Sequence, residues 1–95
     1  MFRRDQAPKM ITFNKLIQKL NAKGKNFVGK YNAKNHHTYL YNQHHPSEWA
    51  IVSENQTGMY STRFMDDREK NLIKIYAGTP YVWRDLEHAK ALKRE

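Results

Sequence analysis

The sequence contains no cysteine, which excludes disulfide bridges, cysteine-based zinc knuckles and thiol nucleophiles together. Long apolar runs are missing as well. Nothing approaches the ~20 consecutive apolar residues that span a bilayer, and the start, Met1-Phe2-Arg3-Arg4-Asp5, leads into no continuous apolar signal region. The expectation is a soluble, cytoplasmic protein with no membrane partner. Length is short too: 95 residues make one domain at most, and a chain of this size buries only roughly 60–65% of its extended surface, too little to keep a deep enzyme pocket beside an intact core. What is present, 39% apolar and 13% aromatic residues, suffices for a small core and argues against a disordered tail.

Acid is scarce in one part of the chain. The first 34 residues hold nine of the 17 basic residues and a single acid, Asp5, whereas the rest carries eight basic and eight acidic residues. The whole net charge of +8 is therefore N-terminal. A merely soluble protein has no need to segregate its signs, so the asymmetry points to a dedicated electrostatic surface; the plainer alternative is a solvated basic arm.

Residues 1–9 mix charge with Gln6 and Pro8 and read as a flexible basic arm, followed by a single domain over 10–95. From Thr12 the pattern becomes helical: Phe13, Leu16, Ile17 and Leu20 fall at i, i+3, i+4 and i+7, while Lys15, Lys19 and Lys23 form a ridge at fourfold spacing. Gly24 is placed to stop this helix. Short runs rich in aromatic and β-branched residues follow: Phe27 to Tyr31, His37 to Tyr41, Trp49 to Val52, Met59 to Phe64 and Leu72 to Tyr76. Turn-forming stretches separate them, including 32–35, 42–46, 55–58 and 66–71. Links this short predict hairpins, hence an antiparallel meander of four to five strands. Asp85 then reads as the N-cap of a short C-terminal helix carrying Leu86, Ala89 and Leu92, and Trp49 and Trp83 read as core residues. The fold class is a small α+β domain with an N-terminal amphipathic helix.

Two stretches could carry chemistry. Gly24-Lys25-Asn26-Phe27-Val28-Gly29-Lys30-Tyr31 fits G-x-x-x-x-G-K, but Tyr31 stands where a nucleotide-hydrolysing loop needs Ser or Thr, and the stretch follows a helix where that motif follows a strand. A weaker reading remains, a lysine-bearing turn whose backbone N–H groups meet a polynucleotide phosphate. The second stretch, His36 to His45, holds four of the five histidines with Tyr39 and Tyr41. In a strand, neighbours point to opposite faces, so His36 and His37 do not share a metal, and neither do His44 and His45. No metal site and no cofactor are expected. Alternation does put His37, Tyr39 and Tyr41 on one face, and such a face beside lysines resembles the stacking-plus-charge surfaces that hold single strands. The alternative is that both tyrosines are half-buried in the core. A metal-independent nuclease could be assembled from His37, Tyr39, Tyr41 and a lysine, but nothing in the sequence fixes their geometry.

The resulting expectation is a non-enzymatic binding module for nucleic acid, DNA or RNA, acting through its lysine-rich N-terminal third. Arg3, Arg4, Lys15, Lys19, Lys23, Lys25, Lys30 and Lys34 would meet phosphates, and Tyr31, His37 and Tyr39 would stack or make polar contacts. If about five of these cations each neutralise a phosphate on a duplex, log K should fall with log salt at a slope of about −4 to −5. The second reading is a protein-interaction module or inhibitor whose basic surface docks on an acidic partner, since both partners attract the same lysines. An exposed sheet edge would also offer a route to a homodimer.

Overall fold

The structure is a computed structural model that describes residues 10–94; the N-terminal arm and its Arg3 and Arg4 lie outside the described residues. The first helix, α1 (Phe13–Leu20), starts where Thr12 in extended conformation accepts a hydrogen bond from the Lys15 N–H, satisfying one of the donors that a helix start leaves open. Its stripe of Phe13, Leu16, Ile17 and Leu20 is buried, and each such side chain contributes roughly 1.5–3 kcal/mol when fully removed from water. The helix ends at Asn21, earlier than Gly24. The Asn21 backbone N–H closes the helix on the Ile17 carbonyl, and its carboxamide takes the Phe27 N–H at 2.6 Å and donates to the Phe27 carbonyl at 3.1 Å, setting the first strand.

Four strands form the expected antiparallel meander: β1 (Phe27–Asn32), β2 (His37–Asn42), β3 (His45–Ser53) and β4 (Tyr60–Arg63). A fifth, β5 (Leu92–Arg94), lies parallel to β1, giving the spatial order β4-β3-β2-β1-β5 and making the sheet mixed. Alternation assigns its faces. Phe27, Gly29 and Tyr31 of β1, Thr38, Leu40 and Asn42 of β2, and Ala50 and Val52 of β3 are buried beneath the helices. Gly29 is there because α1 passes so close: a Cβ on it would sit 2.4 Å from Phe13 Cζ.

The expected strand Leu72 to Tyr76 and the turn before it are instead one helix, α2 (Asp67–Ala77). The reason is the sequence Asp66-Asp67-Arg68-Glu69, a reciprocal capping box in which Asp66 accepts from the Glu69 N–H at 2.8 Å and Glu69 accepts from the Asp66 N–H at 3.0 Å. Leu72, Ile73, Tyr76 and Ala77 then bury one helical stripe. Arg68 spans to α1 and donates both guanidinium N–H groups to the Lys19 carbonyl at 3.1 and 3.0 Å, closing the end of that helix.

The C-terminal part holds the expected short helix, but at other residues. A short helix, α3 (Tyr81–Arg84), precedes Asp85, which has a left-handed backbone (φ 55°) and makes no side-chain cap. Only one 3-10 turn follows, at Leu86–His88, and Leu92 belongs to β5. Neither tryptophan is in the core: Trp83 is 62% exposed, and Trp49 is half-buried on the far face of the sheet. The side chain that fills the corner is Arg84, 1% exposed. It donates to the carbonyls of Thr79, Ser53 and Ala77 at 2.7, 2.8 and 2.7 Å and to the Glu54 carboxylate at 2.6 Å. Glu54 also accepts from the hydroxyls of Thr38 and Tyr76. Among the described residues no buried side-chain polar atom is left without a partner, as a buried ion pair requires if it is not to destabilise the fold.

Candidate functional site

The helices cover one face of the sheet, and the opposite face carries the candidate site. Because strand neighbours in register point the same way, the pairing builds this face in rows. Val28, Tyr41, Trp49 and Arg63 form one row, and Lys93, Lys30, Tyr39, Ile51 and Ser61 form the next. Asn32, His37 and Ser53 form a third. None of these positions is acidic.

The centre is aromatic. Tyr39 and Tyr41 stack with centroids 5.3 Å apart and planes inclined by 26°, and Trp49 tilts against Tyr39 at 6.4 Å. These separations lie in the range where aromatic rings attract. Tyr39 is 37% exposed, so the tyrosines sit on the face opposite the core. Cations rim the rings. Lys30 Nζ is 5.7 Å from the Tyr41 centroid, close enough for a cation–π contact. Lys93 is exposed beside Lys30 in register, and Arg63 closes the far end of the Trp49 row. The Arg63 guanidinium lies 4.9 Å over the ring of Phe64, which is 67% exposed and holds a left-handed backbone at φ 57°. A bulky residue rarely adopts that conformation, and such strain in an exposed aromatic is more frequent at binding surfaces than elsewhere.

Two shallow concavities meet at His37 and Ile51. One is lined by Lys30, Asn32, Asn35, His37, Tyr39 and Ile51, the other mainly by Ser53, Gln56, Met59, Tyr60 and Ser61 beside that shared pair. The platform thus continues from the aromatic rings to a polar end near the β1–β2 turn.

The sheet divides the residues singled out in the sequence. Lys30, His37 and Tyr39 lie on the open face, and Lys34 is exposed in the turn beyond it. The exposed Lys15 and Lys19 belong to α1, and Lys23 to the turn after it, all on the helical side. Tyr31 turns into the core side, 9% exposed, with its ring beneath the Arg94 guanidinium and its hydroxyl 3.4 Å from His36 Nδ1. It is therefore separated from Tyr39 and His37 by the thickness of the sheet. Lys25 is taken up by two carboxylates, at 2.6 Å from Glu69 and 3.2 Å from Glu48. Its bond to Glu69 leads in raising its pKa above the ordinary lysine value, while Glu48 is held below the usual carboxylate range, first by the Asn42 amide and then by Lys25. The turn imagined at Gly24 to Tyr31 is not an open phosphate cradle, because the Phe27 N–H is bonded to Asn21 and Gly29 and Lys30 are paired within the sheet.

Trp49, Ile51, Arg63 and Lys93 complete the face and were not assigned to it from sequence. Alternation sets Trp49 and Ile51 on one face and Ala50 and Val52 on the other, but all four are apolar, so the sequence did not say which pair turns inward. Nothing local announced Lys93, whose place depends on pairing with a strand far away in the chain. Among the described residues no three His, Asp or Glu side chains are grouped as a metal ion would need, and no helix is long and apolar enough to cross a membrane. The chain matches no protein-family profile, no curated protein and no solved structure.

Proposed function

We propose that the protein is a non-enzymatic binding module for single-stranded nucleic acid, which lies across the open face of the sheet with bases on Tyr39, Tyr41 and Trp49 and phosphates near Lys30, Lys93 and Arg63. The observation that carries this reading is the row arrangement itself: three adjacent aromatic rings on the face opposite the helices, with cations on both sides of them and, among the described residues, no carboxylate between. Stacking on aromatic side chains contributes about 1–3 kcal/mol per base and needs unpaired bases, which a duplex hides. An acidic protein surface would use the same cations, and aromatic side chains also anchor protein interfaces, so the comparison of strand with duplex separates the two readings.

Titration with a seven-nucleotide strand and with the corresponding duplex tests the reading. The single strand should bind more tightly, and Tyr39→Ala should weaken it by about 5- to 150-fold, which is the stacking energy converted to affinity. Three cations on a single strand give a salt slope of about −2, against about −4 to −5 for the N-terminal lysine group on a duplex. Equal affinity for both forms together with no effect of Tyr39→Ala would overturn the proposal.

A further inference from the structure

The polar end of the open face suggests which base it takes, an inference that rests on the single-strand reading above. The concavity lined by Lys30, Asn32, Asn35, His37, Tyr39 and Ile51 has a volume of about 260 Å³. That is below the roughly 300–1,000 Å³ of pockets for larger ligands and suits one planar ring system. Tyr39 and Ile51 give it apolar surface. The two asparagines supply amide groups, and His37 a ring that donates or accepts. Asn32 Oδ1 accepts the Lys34 N–H at 2.9 Å, and Asn35 Oδ1 accepts the His37 N–H at 3.0 Å. A backbone N–H only donates, so these two bonds fix which end of each carboxamide is the oxygen. Each side chain therefore keeps its NH2 group for a ligand; among the described residues neither NH2 donates to a protein acceptor. Lys30 lines the cavity as well, and among the described residues no carboxylate does.

We infer that this concavity holds a keto base, uracil or thymine or guanine, in preference to cytosine or adenine. The O4 of uracil or thymine and the O6 and N7 of guanine are acceptors that meet the two amide NH2 groups. The exocyclic amines of cytosine and adenine place donor against donor at the matching position. Discrimination then comes as much from the unpaired donors left by the wrong base as from the bonds gained with the right one.

The test uses a seven-nucleotide cytosine strand carrying U, G or A at its centre, beside the unmodified strand, each titrated against the whole protein. Comparing U with C and G with A keeps ring size, and hence stacking, constant. Each keto base should bind at least about fivefold more tightly than its amino counterpart, the lower end of what a good base-edge contact gives, and the two pairs report separately on the pyrimidine and the purine. Asn32→Asp and Asn35→Asp keep an oxygen for the turn N–H and replace the NH2 by a second acceptor. With an unchanged circular dichroism spectrum, either should bring the keto-to-amino ratios to one or below, whereas Tyr39→Ala should lower all four affinities alike. Ratios near one in the wild-type protein, with measurable binding, would overturn the keto preference and leave the single-strand reading standing. Absence of binding to all four strands would overturn both.

Discussion

The two faces of the sheet are made from the same strands, yet their polar groups are used in opposite ways. On the covered face of β2, Thr38 and Asn42 are buried and committed: Thr38 to Glu54, and Asn42 to Glu48, His44 and Asn26. On the open face of the same strand, His37 and Tyr39 remain exposed. Buried polar groups must find partners within the fold, because each unsatisfied one costs about 1–3 kcal/mol. A closed network is therefore the mark of structure. An aromatic platform with cations at its margin and amide donors at one end is the mark of a surface kept for something else. On the proposed reading the cations of the open face, Lys30, Lys93 and Arg63, come from three different strands, and the sheet separates them from Lys15, Lys19 and Lys23.

The sharpest way to break this comparison is in the covered network. Arg84→Met leaves Glu54 charged, buried and without its cation, and should cost about 3–5 kcal/mol, a large share of the ~5–15 kcal/mol that holds a small domain together. Urea denaturation should show it as a lowered midpoint or as outright unfolding. A midpoint within experimental error of the wild type would mean that the corner is solvated and the two faces differ less than described.

Next in size is the contrast between neighbours on β1. Gly29→Ala drives a methyl group into the ring of Phe13, at 2.4 Å from Cζ, and overpacking of this kind costs about 1–3 kcal/mol. Lys30→Ala, one residue further and on the other face, removes a cation–π contact and should cost no more than about 1 kcal/mol. Thermal melts of the two variants compare the faces directly.

Alkaline pH should act through the covered face as well. Burial first, and then the charge of Glu54, push the Tyr76 hydroxyl far above the ordinary tyrosine value. A raised folded pKa means that the unfolded chain releases its proton first, so the stabilisation is complete below pH ~10 and is lost as the pH rises beyond it. Lys25, also raised, contributes with the same sign. The urea midpoint should therefore fall between pH 8 and pH 11. A midpoint that stays level across this interval would show that Tyr76 ionises freely in the folded protein.

Much of this architecture was legible in the sequence. The stripe of α1 could be read because four apolar residues at helical spacing leave little choice, and the hairpins of β1 to β3 because alternation and short turns agree. The same alternation correctly grouped His37, Tyr39 and Tyr41. Leu72 to Tyr76 was misread because its leucine and isoleucines also suit a strand; the deciding signal was the capping box at Asp66 and Glu69, several residues upstream. The parallel pairing of β5 with β1 left no local trace, since a three-residue strand acquires its identity only from its partner. The burial of Arg84 was illegible for the same reason: its partners at Ser53 and Glu54 come from the end of β3 and are brought together only by the fold. The tryptophans were placed in the core on size alone, whereas large aromatics serve equally well as exposed platforms.

The smallest expected effect concerns the helix. Changing Lys15, Lys19 and Lys23 together to Glu should alter affinity for a short single strand by less than about threefold at physiological salt, where charges more than about 8 Å apart are largely screened. The folded state should survive, because all three residues are exposed. A collapse of binding would return the function to the lysine ridge.

The most direct measurement is a map of where a ligand sits. In a nuclear magnetic resonance titration with an unstructured seven-nucleotide strand, the ring signals of Tyr39, Tyr41 and Trp49 and the side chains of Lys30 and Ile51 should shift together, while those of Phe13, Leu16 and Lys19 stay in place. Shifts confined to α1 and its lysines, with the open face silent, would contradict the account.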